Sequence, residues 1–262
     1  AKCLHHIQSQ KDKPDMVFNG GDSIMESLHE GKDRVKKLWD IWKKTMKNEC
    51  SLPVVNCIGN HDVWGWDQKK SGTDGTEPLY GKKWAMDSFG LDKRYYRFDR
   101  AGWRFIVLDS THTSPEATYT AKLDEQQYKW LEKTLNNTDK NTPVCVFSHI
   151  PVLCACAFFD GNNEKTGNWV VPHQWMHIDA RRIKDLFYER PNVKLCLSGH
   201  IHLRDRVDYN GVKYLCNGAV CGKWWKGKYQ ETPPGYALVD IYSDGESDCE
   251  YVTYGWEEKG AS

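Results

Sequence analysis

Apolar positions along the chain alternate between two periods. Near the start Cys3, Leu4 and Ile7 share one helical face, which a charged break at 11–14 ends. Met16-Val17-Phe18 is a short apolar run that closes on Asn19-Gly20-Gly21-Asp22 and reads as a strand. Over 32–47 helical spacing returns, with Val35, Leu38, Trp39, Trp42 and Met46 on one face and lysines on the other. Pro53 ends that segment, and 54–58 (Val-Val-Asn-Cys-Ile) reads as a second buried strand. The polar stretch 67–78 keeps neither period, which predicts an excursion over the surface.

Further along, 95–99 and 103–109 read as strands joined in hairpin fashion by Arg-Ala-Gly. A helix is predicted over 124–135, a strand over 144–147, a long irregular segment over 151–178, a helix over 180–188 and a strand over 193–197. The tail alternates like a meander: 203–209, a turn at Asn210-Gly211, 212–215, then 236–241, a turn at Asp244-Gly245, and 251–254. Strand–helix alternation over the first two-thirds predicts an α/β fold with parallel strands, and the late hairpins add antiparallel ones. With no internal repeat and no long linker, 1–262 reads as a single domain built on one mixed sheet or on two stacked sheets flanked by helices.

Composition narrows the function classes. The 262 residues carry 36 Lys+Arg against 36 Asp+Glu, so no general affinity for a nucleic-acid polymer is expected. Lys36, Lys37, Lys43 and Lys44 read as a solvated helix face. Hydrophobic residues at 39% and aromatics at 13% exclude a disordered chain. No apolar run reaches the roughly 18–20 residues of a membrane span, and the opening AKCLHHIQSQKDK lacks the apolar stretch of a secretory leader. The tryptophan content favours an exported protein over a cytoplasmic one. Of the ten cysteines, Cys57, Cys145, Cys196 and Cys216 sit in apolar runs and read as buried thiols. Cys154 and Cys156 form a C-x-C with no second pair at zinc-finger spacing.

Candidate chemistry gathers at four strand ends: Gly21-Asp22, Gly59-Asn60-His61-Asp62, Ser148-His149 and Gly199-His200-Ile201-His202. Ligands collect at the carboxyl ends of strands in α/β sheets. Carboxylate, amide oxygen and imidazole suit manganese, iron or zinc ions, and the absence of thiolate argues against a structural zinc site. Taken singly the residues are ambiguous, since Asp22 followed by Ser23 also fits a helix N-cap and a lone His149 fits a core histidine. His200 and His202 point to opposite sides of an extended segment, so ligation by both needs a turn or two adjacent ions.

The ordered set GD…GNHD…SH…GHIH resembles the calcineurin-like metallophosphoesterase superfamily, from Asp22 to about Trp225, and most closely its cyclic-nucleotide phosphodiesterase-like branch. The resemblance implies a four-layer α/β/β/α sandwich with two mostly mixed β-sheets and a dinuclear site at their edge. It implies Asp22 as a carboxylate bridging two ions, Asn60, His149 and His200 as further ligands of the second ion, and His202 as a ligand of the first. His61 would stabilise or protonate the leaving oxygen, with Asp62 orienting it, while a metal-bridging hydroxide attacks phosphorus.

The family pattern opens with Asp-x-His upstream of GD, and no Asp-x-His occurs in this chain. The expectation is a segment carrying it, and a first β-strand, that is absent from this chain; without them the site would hold one ion in place of two. Trp64, Trp66, Lys223, Trp224 and Trp225 follow the motif segments and His112 follows the strand FIVLDS, which makes all six candidate substrate contacts. The implied function is metal-dependent hydrolysis of a small phosphoester, a phosphodiester before a monoester. The alternative is a degenerate member that binds a ligand or partner without catalysis.

Overall fold

The computed structural model describes residues 1–257, in two compact units: Ala1–Arg94 with Thr113–Tyr119, and Tyr95–His112 with the chain from Thr120 onward. The first unit opens with α1 (Lys2–Gln8), followed by β1 (Val17–Asn19), α2 (Lys32–Glu49) and β2 (Val54–Asn56). Strands β1 and β2 pair in parallel, Val17 opposite Val54 and Asn19 opposite Asn56. The side chain of Gln8 ties α1 to the end of α2 by donating to Glu49 O at 2.7 Å and accepting from Ser51 N at 2.8 Å.

Two short helices follow, α3 (Gln68–Ser71) and α4 (Lys83–Phe89). The first falls inside the stretch expected to be irregular: Asp67 caps it by accepting from Lys70 N, and Gly72 ends it at φ 71°. Helix α4 is too short for its period to be visible in sequence, yet it buries Trp84 and Ala85. The apolar face expected of α2 is realised, with Val35 and Trp39 fully enclosed. Trp39 meets Trp42 and Phe89 edge-to-face at 5.8 and 5.4 Å, and Trp64 meets Trp84 at 4.9 Å. This unit therefore spends much of its tryptophan content on its own core.

The second unit begins with the hairpin β3 (Tyr96–Arg100) and β4 (Trp103–Val107) and continues with β5 (Thr111–His112), β6 (Thr120–Ala121), α5 (Glu125–Asn136), β7 (Val144–Phe147), α6 (Ala180–Tyr188) and β8 (Val193–Ser198). Its remaining strands are β9 (Arg204–Tyr209), β10 (Val212–Asn217), β11 (Gly235–Ile241) and β12 (Ser247–Thr253). Six strands form one sheet in the order β3-β4-β7-β8-β10-β9. The inner four are parallel, and β3 and β9 are antiparallel edges. All four residues of β7 are buried, as expected of a strand covered on both faces. Leu131 and Leu135 of α5 and Ile183 and Phe187 of α6 pack with Ile106, Val144 and Val193 of the sheet.

The fold class is mixed α/β, as the alternation predicts. The strands outside the six-stranded sheet form two-stranded pairs, β1–β2, β5–β6 and β11–β12. The tail hairpin thus pairs with itself, and Trp103 Nε1 donates to Tyr242 O at its turn at 2.8 Å. Cys57, Cys145, Cys196 and Cys216 are buried free thiols, as expected. Among the described residues no helix is long and apolar enough to cross a membrane.

Because Trp39 is fully enclosed, Trp39→Ala is expected to destabilise the chain by about 3–5 kcal/mol, read as a lower urea midpoint with an unchanged slope.

Candidate metal centre

In the first unit the site residues stand on the turns that leave β1 and β2. Gly21 (φ 92°) and Asp22 (φ 53°) both adopt the left-handed conformation, which costs an aspartate roughly 1–2 kcal/mol. No helix follows Asp22, so the capping alternative does not apply. Its Oδ1 accepts from His61 N at 2.9 Å. Gly59 makes this approach possible, because a Cβ there would lie 2.2 Å from Asp22 Oδ1 and 2.3 Å from Asp22 N. Asn60, next in the chain after Gly59, is buried.

Asp62 is fully buried. Its carboxylate accepts from Ser23 N at 2.8 Å, Ile24 N at 3.4 Å and Gly59 N at 2.9 Å, tying the turn after β1 to the turn after β2. At the His61 ring the neighbouring carboxylate is Glu26, with Oε2 3.2 Å from Nδ1. Burial opposes charge on His61, yet the adjoining Glu26 carboxylate, together with Asp22 and Asp62, outweighs it and raises the imidazole to about 9. Glu26 is in turn lowered: burial works against its charge, but His61, His29 and the N–H of Leu28 favour it. Glu26 is a residue the sequence reading missed. An acid four residues after Asp22 was visible, but only the non-helical path of 22–30 returns it to His61.

In the second unit β7 ends at Ser148-His149 and β8 at Gly199-His200. Ser148 N donates to Leu197 O at 3.0 Å and Gly199 N to His149 O at 3.0 Å, locking the two ends together. His149 Nε2 and His200 Nδ1 face each other at 3.1 Å, with the rings edge-on. His200 (φ 72°) and His202 (φ 64°) are left-handed, and Ile201 between them is buried. The segment therefore turns at each histidine and is not extended. His202 Nδ1 lies 2.7 Å from Gly222 O. A carbonyl only accepts, so Nδ1 carries the proton and Nε2 the lone pair that a metal needs.

Behind His149, Ser148 Oγ donates to Ile150 O at 2.8 Å and lies 3.5 Å from His177 Nε2, whose Nδ1 is 2.9 Å from Asp179 Oδ1. This serine–histidine–carboxylate array is enclosed, with Ser148 and His177 each 2% exposed, and it braces the strand end. Of the candidate substrate contacts, Trp64 is a core residue, 2% exposed, that donates from Nε1 to Glu30 O. It offers no face for stacking, which corrects that expectation. Trp66 is half-buried under Lys82 Nζ. His112 lies half-buried on β5 opposite Thr120. Lys223, Trp224 and Trp225 stand exposed on one loop of the second unit.

The donors present fit hard or borderline cations: a carboxylate and a buried amide in one unit, and three imidazoles in the other, two of them with converging nitrogens. Two outcomes follow. Gly59→Ala is expected to displace Asp22, lowering Mn²⁺ affinity by at least about tenfold and stability by about 1–3 kcal/mol, measured by calorimetry and thermal melting. In metal-free protein His61 is expected to titrate near 9 by NMR, and Glu26→Gln to bring it down. Because His61 is raised and Glu26 lowered, their pairing stabilises the fold fully between the ordinary values of 4.5 and 6.5. It is lost as pH rises through about 9 or falls through the lowered value of Glu26.

Comparison with known proteins adds the lineage. The family model of calcineurin-like phosphoesterases matches residues 1–204. A 3',5'-cyclic-nucleotide phosphodiesterase of Nostoc sp. is 26% identical over 168 residues, 62% of this chain and 57% of that protein. The 3',5'-cyclic adenosine monophosphate phosphodiesterase CpdA of Escherichia coli is 22% identical over 197 residues, 74% of this chain and 60% of that protein. The chain thus spans less than two-thirds of the length of these relatives. The crystal structure of a dimetal phosphatase from Danio rerio has the same fold, with a TM-score of 0.57 at 18% identity, covering 90% of this chain and 82% of that one. With 204 of its 262 residues inside the family model, and GD, GNHD and SH at the ends of its strands, the chain belongs to the calcineurin-like phosphoesterases.

Proposed function

We propose that residues 1–262 act as one metal-dependent phosphoesterase domain that hydrolyses small phosphodiesters in preference to monoesters. The observation that carries this reading is the left-handed backbone at three candidate ligands, Asp22, His200 and His202. Each conformation is unfavourable for a non-glycine residue, and such departures gather where a site demands a fixed geometry. Family membership and the phosphodiesterase names of the Nostoc and Escherichia coli relatives support the same reading.

Asp22, Asn60, His149, His200 and His202 are the residues whose donors would hold manganese, iron or zinc ions. Bound there, the ions would supply an activated water and neutralise phosphate charge. The chain's own residues do the rest. His61, whose imidazole is held toward its charged form by Glu26, Asp22 and Asp62 in the metal-free chain, would deliver a proton to the leaving oxygen. Glu26 keeps that proton on the ring and fixes its direction. Asp62 holds the turns that carry both Asp22 and His61. Gly222 O fixes the His202 tautomer.

Hydrolysis of bis-p-nitrophenyl phosphate and of p-nitrophenyl phosphate, with and without Mn²⁺, tests the proposal. Turnover is expected to require the metal and to favour the diester. His61→Ala is expected to lower kcat by about 10²–10⁴-fold with Mn²⁺ binding retained. Mn²⁺ binding without turnover of either ester would sink the hydrolytic reading in favour of a binding protein.

A further inference from the structure

We propose that the loop 218–230 of the second unit is a stacking platform for a planar aromatic group attached to the phosphoester, with Trp224 as the ring that meets it. This selects nucleotide-like esters over aliphatic ones, and it rests on the hydrolytic reading above.

Trp224 and Trp225 are adjacent and both left-handed, at φ 47° and 69°. The two residues remain 44% and 42% exposed, so burial alone does not account for the conformation. The loop is tightly determined. Gly222 N donates to Ala219 O at 3.1 Å, Trp225 N to Cys221 O at 2.7 Å, Lys223 N to Gly227 O at 3.0 Å and Lys226 N to Lys223 O at 2.9 Å. At Gly222 (φ 51°) a Cβ would lie 2.3 Å from Gly227 O, so the turn closes only around a glycine.

Each indole is braced by an aromatic neighbour. Trp224 lies 5.0 Å from the ring of His202 and 5.7 Å from Tyr229, whose hydroxyl donates to Asp160. Trp225 meets Trp256 edge-to-face at 5.1 Å. The Gly222 carbonyl that fixes His202 belongs to this same loop, so the loop and the candidate ligand are tied together at 2.7 Å.

The chemistry of the surface identifies its occupant. Between 217 and 230 the chain carries Lys223, Lys226 and Lys228, all exposed, and no acidic residue. A flat π-surface beside cations recognises an aromatic ring and an anion in the same molecule, which is the chemistry of a nucleotide. An aliphatic phosphoester would draw on the lysines alone.

The test compares adenosine 5'-monophosphate with ribose 5-phosphate by calorimetry in the presence of Mn²⁺, on the unmodified protein and on Trp224→Gly and Trp224→Phe. The adenine compound is expected to bind about 5- to 100-fold more tightly. Trp224→Gly, which suits the left-handed backbone, is expected to erase that gap while ribose 5-phosphate affinity stays within about twofold; Trp224→Phe is expected to restore most of it. If Trp224→Gly does not fold, Trp224→Leu keeps the apolar bulk without the π-face and takes its place. Equal affinity of the unmodified protein for both compounds, or equal weakening of both in the variant, overturns the platform. Adenine preference without turnover of any phosphodiester sinks the hydrolytic reading and leaves the platform standing; turnover without the preference does the reverse.

Discussion

The first unit depends on one buried carboxylate. Strands β1 and β2 are three residues each and share three pairings, too few to fix the direction of the chain beyond them. Asp62 supplies what the ladder cannot, accepting three backbone N–H groups from the segments that follow the two strands. A carboxylate without access to water is tolerable only with such donors. The arrangement is therefore mutually enforcing: the turns satisfy the carboxylate, and the carboxylate fixes the turns. Asp22 and His61 take their places from this clamp, and the bond from His61 N to the Asp22 carboxylate closes it.

The second unit reaches the same end by apolar means. Four parallel strands bring β7 and β8 side by side, and backbone bonds lock their ends. The left-handed residues His200 and His202 together cost about 2–4 kcal/mol. Ile201 and Leu203, which alternate with them, are 3% and 1% exposed in a cluster with Cys154, Cys156 and Cys216. Burying two such side chains contributes about 3–6 kcal/mol, enough to offset the strain. Apolar pegs on either side of His202 thus hold a conformation the histidines would not adopt unaided.

The helices α2, α5 and α6 and the strands β7, β8 and β10 were legible because each repeats one local period over enough residues. The four motif segments were legible because their glycines and polar residues break an apolar run where a strand must end. What escaped depends on tertiary choice. Glu26 returns to His61 through a path without a period. Trp64 and Trp224 both sit among polar and glycine residues in sequence, yet one meets Trp84 and is enclosed while the other stays exposed. A histidine in the left-handed conformation has no signature at all, since the preceding glycine predicts the turn but not which neighbour bears the strain.

The three carboxylates that favour a charged His61 differ in how their oxygens are committed. Asp22 is a candidate ligand, so a cation there would cancel its hold on the imidazole proton. Asp62 has its oxygens committed to three N–H groups, which draw its charge toward the backbone. Glu26 accepts from Leu28 N at 2.6 Å through Oε1 and turns Oε2 to Nδ1 of His61, 3.2 Å away. Of the three, Glu26 is the carboxylate whose free oxygen faces the imidazole, and it does most to favour the charged ring.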